Sequence, residues 1–223
     1  MHPPFTAEQF FDVFRRYNEA VWPAQVALVA VALLALMAAF RANVRRSWRW
    51  GQMAIALLAV LWLWSGIAYH KAFFARISAS GEIFGSLFIA EAALLLICLS
   101  QNVSSFPRAS RSITVVGTLL VAYALMVYPA VGHALGHRYP VVPTFGTPCP
   151  MTIFTFGIFC LLPSSIPRFA MVIPVLWAVV GSYAAFGFGM VEDVGLIGAA
   201  VLAIVLIHHE PHRLLERSSD ATA

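Results

Sequence analysis

The stretch WPAQVALVAVALLALMAAF, residues 22–40, contains no charged side chain and is long enough to cross the hydrocarbon core of a membrane as a helix. Pro23 lies at its start, where the first turn of a helix tolerates proline. Six further apolar runs follow along the chain, at residues 52–73, 82–100, 112–135, 150–162, 169–188 and 194–207. The sequence therefore predicts an all-α, polytopic transmembrane helix bundle of about seven spans, of which the fifth and seventh are short.

The composition is that of a protein that folds in lipid. Hydrophobic residues make up 61% of the chain and charged residues 11%, whereas soluble domains contain about a quarter of charged residues. The net charge of +4 comes from basic residues in short loops between apolar runs. Basic residues in such loops are typical of membrane proteins, where they set the orientation of the spans. We therefore expect the lipid bilayer as a partner and no nucleic acid, while the oligomeric state stays open.

Basic residues are distributed unequally between the two ends of the predicted bundle. If the first loop is cytoplasmic, nine arginines share its side and five basic residues fall on the other. The nine are Arg41, Arg45, Arg46, Arg49, Arg108, Arg111, Arg168, Arg213 and Arg217. Because positive charge is retained in the cytoplasm, the asymmetry predicts an N-terminus outside and a C-terminus inside, N-out/C-in.

The residues before the first apolar run predict an amphipathic helix. Thr6 and Gln9 form a capping-box pattern, and aromatic residues recur at helical spacing from Phe10 to Tyr17. Such a helix lies in the membrane interface or packs across the mouth of the bundle, and both placements fit the sequence. The predicted organisation is an interfacial helix at 1–21, a single transmembrane bundle at 22–209 and a flexible cytoplasmic tail at 210–223.

The most polar internal segment is GHRYPVVPTFGTPCP, residues 136–150, between the fourth and fifth apolar runs. Irregular backbone near a bilayer has to be held by protein contacts or by water, so this segment is where we look first for function. It contains His137 and Cys149. The predicted topology brings three more reactive residues to the same outer side, namely His70 after the second run and Glu192 and Asp193 before the seventh.

Imidazole, thiolate and carboxylate ligands together favour zinc or copper over calcium or magnesium. The predicted metal site consists of His70, His137, Cys149, Glu192 and Asp193, supported through hydrogen bonds by Tyr69, Tyr139 and Thr152. A structural alternative exists for these residues. Cys149 can be a small buried residue in a proline turn, and the two carboxylates can cap the helix that follows them.

Glu91 lies nine residues into the third apolar run, which begins at Glu82. An ionisable group at that depth is costly, so it is a functional candidate by default. One interpretation is a proton relay. The other is a protonated side chain that forms a hydrogen bond with Ser65, Tyr123 or Tyr183.

These residues favour the binding or transport of a transition-metal ion or a small polar solute at an outward-facing site. A membrane-embedded metal-dependent hydrolase or a thiol enzyme with a lipid-like substrate is an alternative, because the same side chains can activate water or serve as nucleophile and base. A haem protein is a further alternative, with His70 and His137 as axial ligands.

Several motifs resemble those of a family of bacterial integral membrane proteins known only as a domain of unknown function. They are FTAEQFF at residues 5–11, Tyr69-His70, GHRYP at 136–140, PTFG at 143–146, PCP at 148–150, TIFT at 152–155 and VEDVGL at 191–196. The resemblance covers nearly the whole chain and implies a multi-pass protein of the bacterial inner membrane, with no particular activity. The motifs include all five predicted metal ligands and leave out Glu91.

Overall fold

A computed structural model describes residues 4–100, 108–162 and 166–205. These residues form helices that are joined by turns and loops, with one isolated bridge between Phe145 and Thr147, which agrees with the predicted all-α class. The helices are α1 Ala7–Val21, α2 Ala24–Arg45, α3 Trp48–Trp64, α4 Ser80–Cys98, α5 Arg111–Ala122, α6 Tyr128–Ala134, α7 Pro148–Leu161, α8 Val172–Phe188 and α9, residues 194–205. Short 3₁₀ turns at Phe74–Arg76, Arg168–Met171 and Val191–Asp193 lie between them.

Five helical segments are long and apolar enough to cross a membrane: Ala24–Arg45, Trp48–Arg76, Ser80–Cys98, Arg111–Ala134 and Arg168–Phe188. They correspond to the predicted runs one, two, three, four and six. The described part of the seventh run ends at residue 205, so its full length lies outside the described residues. The predicted tail at 210–223 and the domain boundary at 209 lie outside them as well.

The fifth predicted run forms α7, which is a core helix. Its 14 residues extend about 21 Å at 1.5 Å per residue, less than the ~30 Å of a bilayer's hydrocarbon. Every residue of α7 except Cys149 is buried by the surrounding helices. Gly117 of α5 and Gly157 of α7 face each other so closely that a Cβ on either would lie 2.8 Å from the other's carbonyl oxygen. Small residues permit this close approach of helix backbones.

Two long helices change to π-helix at the same end of the bundle. The helix α3 continues as a π-helix at Ser65–Lys71, and the π-helix Tyr123–Val127 joins α5 to α6. Pro129 lies just after the second and has no N–H to donate, which interrupts the regular helical hydrogen bonds there. Short π-helical stretches are frequent at functional sites, and both of these border the site described below.

The helix α1 packs across this end of the bundle, which we call the α1 end. Its predicted capping box between Thr6 and Gln9 is confirmed. Its aromatic face is buried, with Phe14 stacked on Tyr69, while Asp12 pairs with arginines on the exposed face. Of the two predicted placements, the structure shows the helix across the bundle mouth. Aromatic side chains of the bundle cover the apolar face of α1, while the position of this helix relative to the membrane interface stays a prediction.

Asn18 attaches the loop before α7 to the α1 end. Its side-chain amide donates to the carbonyl oxygens of Pro140 and Val142, each at 2.7 Å. Its side-chain oxygen accepts from Gln25 at 2.6 Å and from the hydroxyl of Thr144 at 2.8 Å. Protein contacts therefore hold the irregular backbone of the polar segment, and this fixes the position of Cys149 at the start of α7.

Candidate functional site

A cavity of about 710 Å³ lies beneath α1, between the ends of α3, α4, α7 and α8. This volume lies within the range of pockets that hold drug-sized ligands. Half of the residues in the wall are aromatic, namely Phe5, Phe10, Phe14, Tyr69, Phe74, Phe84, Trp177, Tyr183 and Phe188. The few polar groups in the wall include the ring of His70 and the thiol of Cys149.

One side of the cavity reaches the flank of the bundle along α8. Val179 and Tyr183 line the cavity, yet they are 68% and 52% exposed on the outer surface. Both belong to the segment Arg168–Phe188, which is long and apolar enough to cross a membrane. The cavity therefore opens through a flank whose chemistry suits lipid.

His70 is a buried polar side chain in an aromatic wall. It is 1% exposed, and neither ring nitrogen has a hydrogen-bond partner among the described residues. The rings of Phe74, Phe84, Phe88 and Trp177 surround it edge-on, with ring centroids 4.6 to 6.1 Å away. A buried polar group without a partner costs about 1–3 kcal/mol. Packing alone therefore does not explain a histidine at this position.

The π-helix at Ser65–Lys71 and two glycines position this histidine. A Cβ on Gly66 would lie 2.9 Å from the carbonyl oxygen of Gly85, so α4 approaches the π-helix at backbone distance. A Cβ on Gly85 would lie 3.3 Å from the Cβ of His70. The absence of a side chain at Gly85 therefore leaves room for His70 beside α4.

A second group of polar side chains lies behind Cys149, and we call His137, Cys149, Glu192 and Asp193 the carboxylate cluster. Glu192 and Asp193 are 0% and 1% exposed. The Nδ1 atom of His137 lies 2.9 Å from Oε1 of Glu192. The hydroxyl of Tyr128 donates to Asp193 at 2.5 Å, and Cys149 lies close enough to Asp193 to affect the pKa of its carboxyl group.

Turns and close packing bring these side chains together. Gly136 has a φ of +94°, and the N–H of His137 donates to the carbonyl of Gly132 at 2.9 Å, so the chain turns back at the end of α6. A Cβ on Gly132 would lie 3.1 Å from Oε1 of Glu192. The hydroxyl of Tyr123 donates to the backbone carbonyl of Glu192 at 2.9 Å and fixes the 3₁₀ turn that carries both carboxylates.

Burial dominates the electrostatics of Asp193. It raises the pKa of Asp193 to about 7, with a smaller contribution in the same direction from Glu192, while the hydrogen bond from Tyr128 and the neighbouring Cys149 thiol act in the opposite direction. Among the described residues, His137 is the sole ion-pair partner of the two carboxylates. If both carboxylates were ionised, His137 would be their one countercharge among the described residues, and two buried negative charges would be unfavourable.

The predicted metal ligands are close together at the α1 end but do not converge on one point. His137, Cys149, Glu192 and Asp193 form the cluster, while His70 faces the cavity from the opposite wall. Within residues 4–100, 108–162 and 166–205, no group of three or more His, Cys, Asp or Glu side chains is arranged to hold a metal ion. The zinc or copper site stays a prediction that this geometry does not support. His70 and His137 likewise lie in separate surroundings, which gives the haem alternative no support.

The three predicted supporting residues have different roles. Tyr69 lines the cavity and contacts the His70 ring edge-on, with centroids 5.3 Å apart. Tyr139 donates to the backbone carbonyl of Asn18 at 3.3 Å, and Thr152 donates to that of Pro148 at 2.8 Å. Tyr139 and Thr152 therefore stabilise backbone next to the site and do not contact its ionisable side chains.

Glu91 is fully buried in α4, and neither of its carboxylate oxygens has a hydrogen-bond partner among the described residues. The hydroxyl of Ser65 also has none in this part of the chain, so the predicted bond between them is not formed. The hydroxyl of Tyr123 bonds to the backbone of Glu192 instead. Glu91 thus lies apart from both the cavity wall and the carboxylate cluster.

Comparison with known proteins assigns a family to this fold. A model for a family of unknown function, DUF6064, matches residues 7–217. The chain belongs to DUF6064. This membership confirms the resemblance drawn from the sequence motifs. No curated protein and no solved structure matches the chain.

The contacts of two tyrosines and most of the cavity wall of this DUF6064 chain were not predicted from the sequence. Tyr123, which the sequence offered as a partner for Glu91, bonds instead to the turn at Glu192 and Asp193, as does Tyr128. The two tyrosines are five residues apart just before Pro129, and the π-helix at Tyr123–Val127 connects them. This spacing was the feature of the sequence that could have indicated their role. The aromatic wall is contributed by α1, the π-helix and 3₁₀ turn after α3, α4 and α8 together, so no single stretch of the DUF6064 sequence displays it.

Proposed function

We propose that this protein binds an amphipathic small molecule of the membrane in the aromatic cavity. The apolar body of the molecule lies against the phenylalanine side chains, and a hydroxyl or carbonyl group bonds to His70. The observation that carries this proposal is the buried His70 ring, whose two nitrogens have no partner among the described residues. A neutral imidazole offers one donor and one acceptor, so either head group satisfies it.

The shape and chemistry of the cavity support an apolar ligand. Burial of apolar surface contributes about 25 cal/mol per Å², and the aromatic wall provides that surface. A hydrated ion or a strongly polar solute would lose its water here and gain few hydrogen bonds in return, which is unfavourable. The opening along α8, beside Val179 and Tyr183, supports entry from the bilayer.

The proposed placement in the membrane has seven spans, with α7 and α9 counted as the short ones, in the inner membrane of a bacterium. The α1 end, and with it the cavity, lies on the outer side. The nine arginines on the side of the first loop, against five basic residues on the other, support this orientation. Fusion of a reporter that is active only in the cytoplasm to each terminus tests it.

Filling the cavity is expected to remove the bound molecule. Val180 lines the cavity on α8, so Val180→Trp places an indole in the binding volume. Val172 lies on the same helix, is exposed and does not line the cavity, which makes Val172→Trp a matched control. Protein purified in a mild detergent is extracted with organic solvent, and the extract is analysed by mass spectrometry.

We expect about one molecule per wild-type chain, the same amount in Val172→Trp, and a loss of most of it in Val180→Trp. Equal amounts in the two tryptophan variants would contradict the proposal. A wild-type protein that carries no small molecule above the background of the detergent and bulk lipid would contradict it as well.

A further inference from the structure

The indole of Trp177 provides a second unpaired polar group in the cavity wall. Its Nε1–H group is buried and, like the ring nitrogens of His70, has no hydrogen-bond partner among the described residues. Both side chains line the cavity, and their rings meet edge-on with centroids 5.0 Å apart. The cavity therefore offers two neighbouring polar groups to a bound molecule, one on the π-helix after α3 and one on α8.

The position of Gly181 leaves room beside the indole nitrogen. A Cβ on Gly181 would lie 3.2 Å from Nε1 of Trp177 and 3.5 Å from the sulfur of Cys149. Gly181 and Cys149 line the cavity as well, so the indole nitrogen lies next to its wall. Sulfur is a weak acceptor, so Cys149 does not replace an oxygen atom as a partner for this N–H group.

The rest of the wall offers neither free hydroxyls at its serine and threonine nor a countercharge. Ser80 shares a hydrogen bond with Ser78 at 2.7 Å, and the hydroxyl of Thr147 donates to the carbonyl of Thr144 at 2.8 Å. In the described part of the chain, no lysine, arginine, aspartate or glutamate lines the cavity. A phosphate head group would be buried without a countercharge, which is strongly unfavourable. The chemistry of the wall thus favours an uncharged head group.

We infer that the cavity binds a fatty acid, whose carboxyl group, in its acid form, spans Trp177 and His70. The carbonyl oxygen accepts from the indole N–H, and the O–H donates to a ring nitrogen of His70. An ester has no hydrogen to donate to His70, and an alcohol has one oxygen atom where the carboxyl group has two. This inference rests on the proposed function, because it names the class of molecule that the same cavity binds.

The apolar part of the cavity suits a single acyl chain. Phe188 stacks on Phe10 at 4.6 Å and on Phe5 at 5.7 Å between ring centroids, and all three rings line the cavity. Each methylene group that leaves water for this surface adds to the affinity. Val179 and Tyr183 border the opening along α8, through which a molecule with one chain enters from the bilayer.

Competition between molecules of equal chain length tests the head group. The full-length protein in a mild detergent, washed free of co-purified lipid, is titrated with radiolabelled palmitic acid, and Val180→Trp gives the background. We expect saturable binding to the wild type. Methyl palmitate and hexadecanol should compete about fivefold less well than unlabelled palmitic acid, because each forms one hydrogen bond fewer in the cavity.

Trp177→Phe keeps an aromatic ring and removes the N–H group. We expect it to weaken the binding of palmitic acid about fivefold and to leave that of hexadecanol unchanged, since the alcohol bonds to His70 alone. A loss of packing would weaken both. The matched control is Trp50→Phe, since Trp50 lies at the far end of α3 and packs against Arg41. It should change neither affinity.

Methyl palmitate or hexadecanol that competes as well as palmitic acid would overturn the fatty acid as the ligand, and this comparison needs the wild type alone. A Trp177→Phe variant that keeps the preference for the acid over the alcohol would overturn the role of Trp177. A molecule without a carboxyl group that is extracted from the wild type and lost in Val180→Trp would overturn this inference and leave the proposed function intact. A wild type that carries no molecule and does not bind palmitic acid would contradict both.

Discussion

Leucine in place of His70 is expected to abolish binding of the cavity molecule while leaving the protein at least as stable as the wild type. The ring nitrogens form no bond to the described residues, so their removal breaks none there. Leucine also avoids burying an unpaired polar group, which costs about 1–3 kcal/mol. A residue kept for function commonly lowers stability in this way. Thermal unfolding in detergent and mass spectrometry of the extract measure the two effects.

The matched control is a buried polar group that does have a partner. The hydroxyl of Thr155 accepts the indole N–H of Trp62 at 3.0 Å in the core of the bundle. Thr155→Val keeps the shape and leaves that N–H unpaired, so we expect a loss of about 1–3 kcal/mol with the ligand still bound. If His70→Leu lost stability as Thr155→Val does and kept the ligand, His70 would be a structural residue.

Alanine in place of Asn18 is expected to destabilise the protein by at least about 3 kcal/mol, because several buried hydrogen bonds are lost at once and their partners are left unpaired. The loop at 136–147 should become sensitive to protease, since Asn18 binds it through Pro140, Val142 and Thr144. Thermal unfolding and limited proteolysis with identification of the cleavage sites check both expectations.

Asn43 provides the comparison, because it is also a buried asparagine that bonds to a second helix and to a loop. It donates to Thr114 at 3.2 Å and accepts from the backbone of Ala109 at 2.9 Å. Asn43→Ala should therefore lose stability without exposing the loop at 136–147. Equal protease sensitivity of that loop in both variants would show that Asn18 does not hold it in place.

The helices could be predicted because an apolar run of about 20 residues in lipid has to satisfy its own backbone hydrogen bonds, and a helix does so within the run. The surroundings of the shorter run at 150–162 could not be predicted, since a short span that faces lipid and one that is buried among other helices have the same composition. The close contact of Gly117 with Gly157 surrounds this run with protein, and the sequence does not show which helices meet. Likewise, the amphipathic pattern of α1 is the same whether its apolar face contacts lipid or protein.

The candidate site was predicted in its location but not in its geometry. Successive spans cross the membrane in opposite directions. This rule alone was enough to place five residues at one end of the bundle, namely His70, His137, Cys149, Glu192 and Asp193. Which side chains then meet depends on rotations and turns, such as the left-handed Gly136 that returns His137 to Glu192. The cavity depends on aromatic residues from distant parts of the chain, so the aromatic surroundings of His70 became visible only in the folded protein.

Binding of the head group of a membrane-derived molecule by His70 can be observed in an experimental structure of the protein in lipid nanodiscs. We expect elongated density in the cavity of about 710 Å³, with one polar atom within hydrogen-bond distance of a His70 ring nitrogen. Density that stays clear of His70, or a cavity that contains only water, would contradict it.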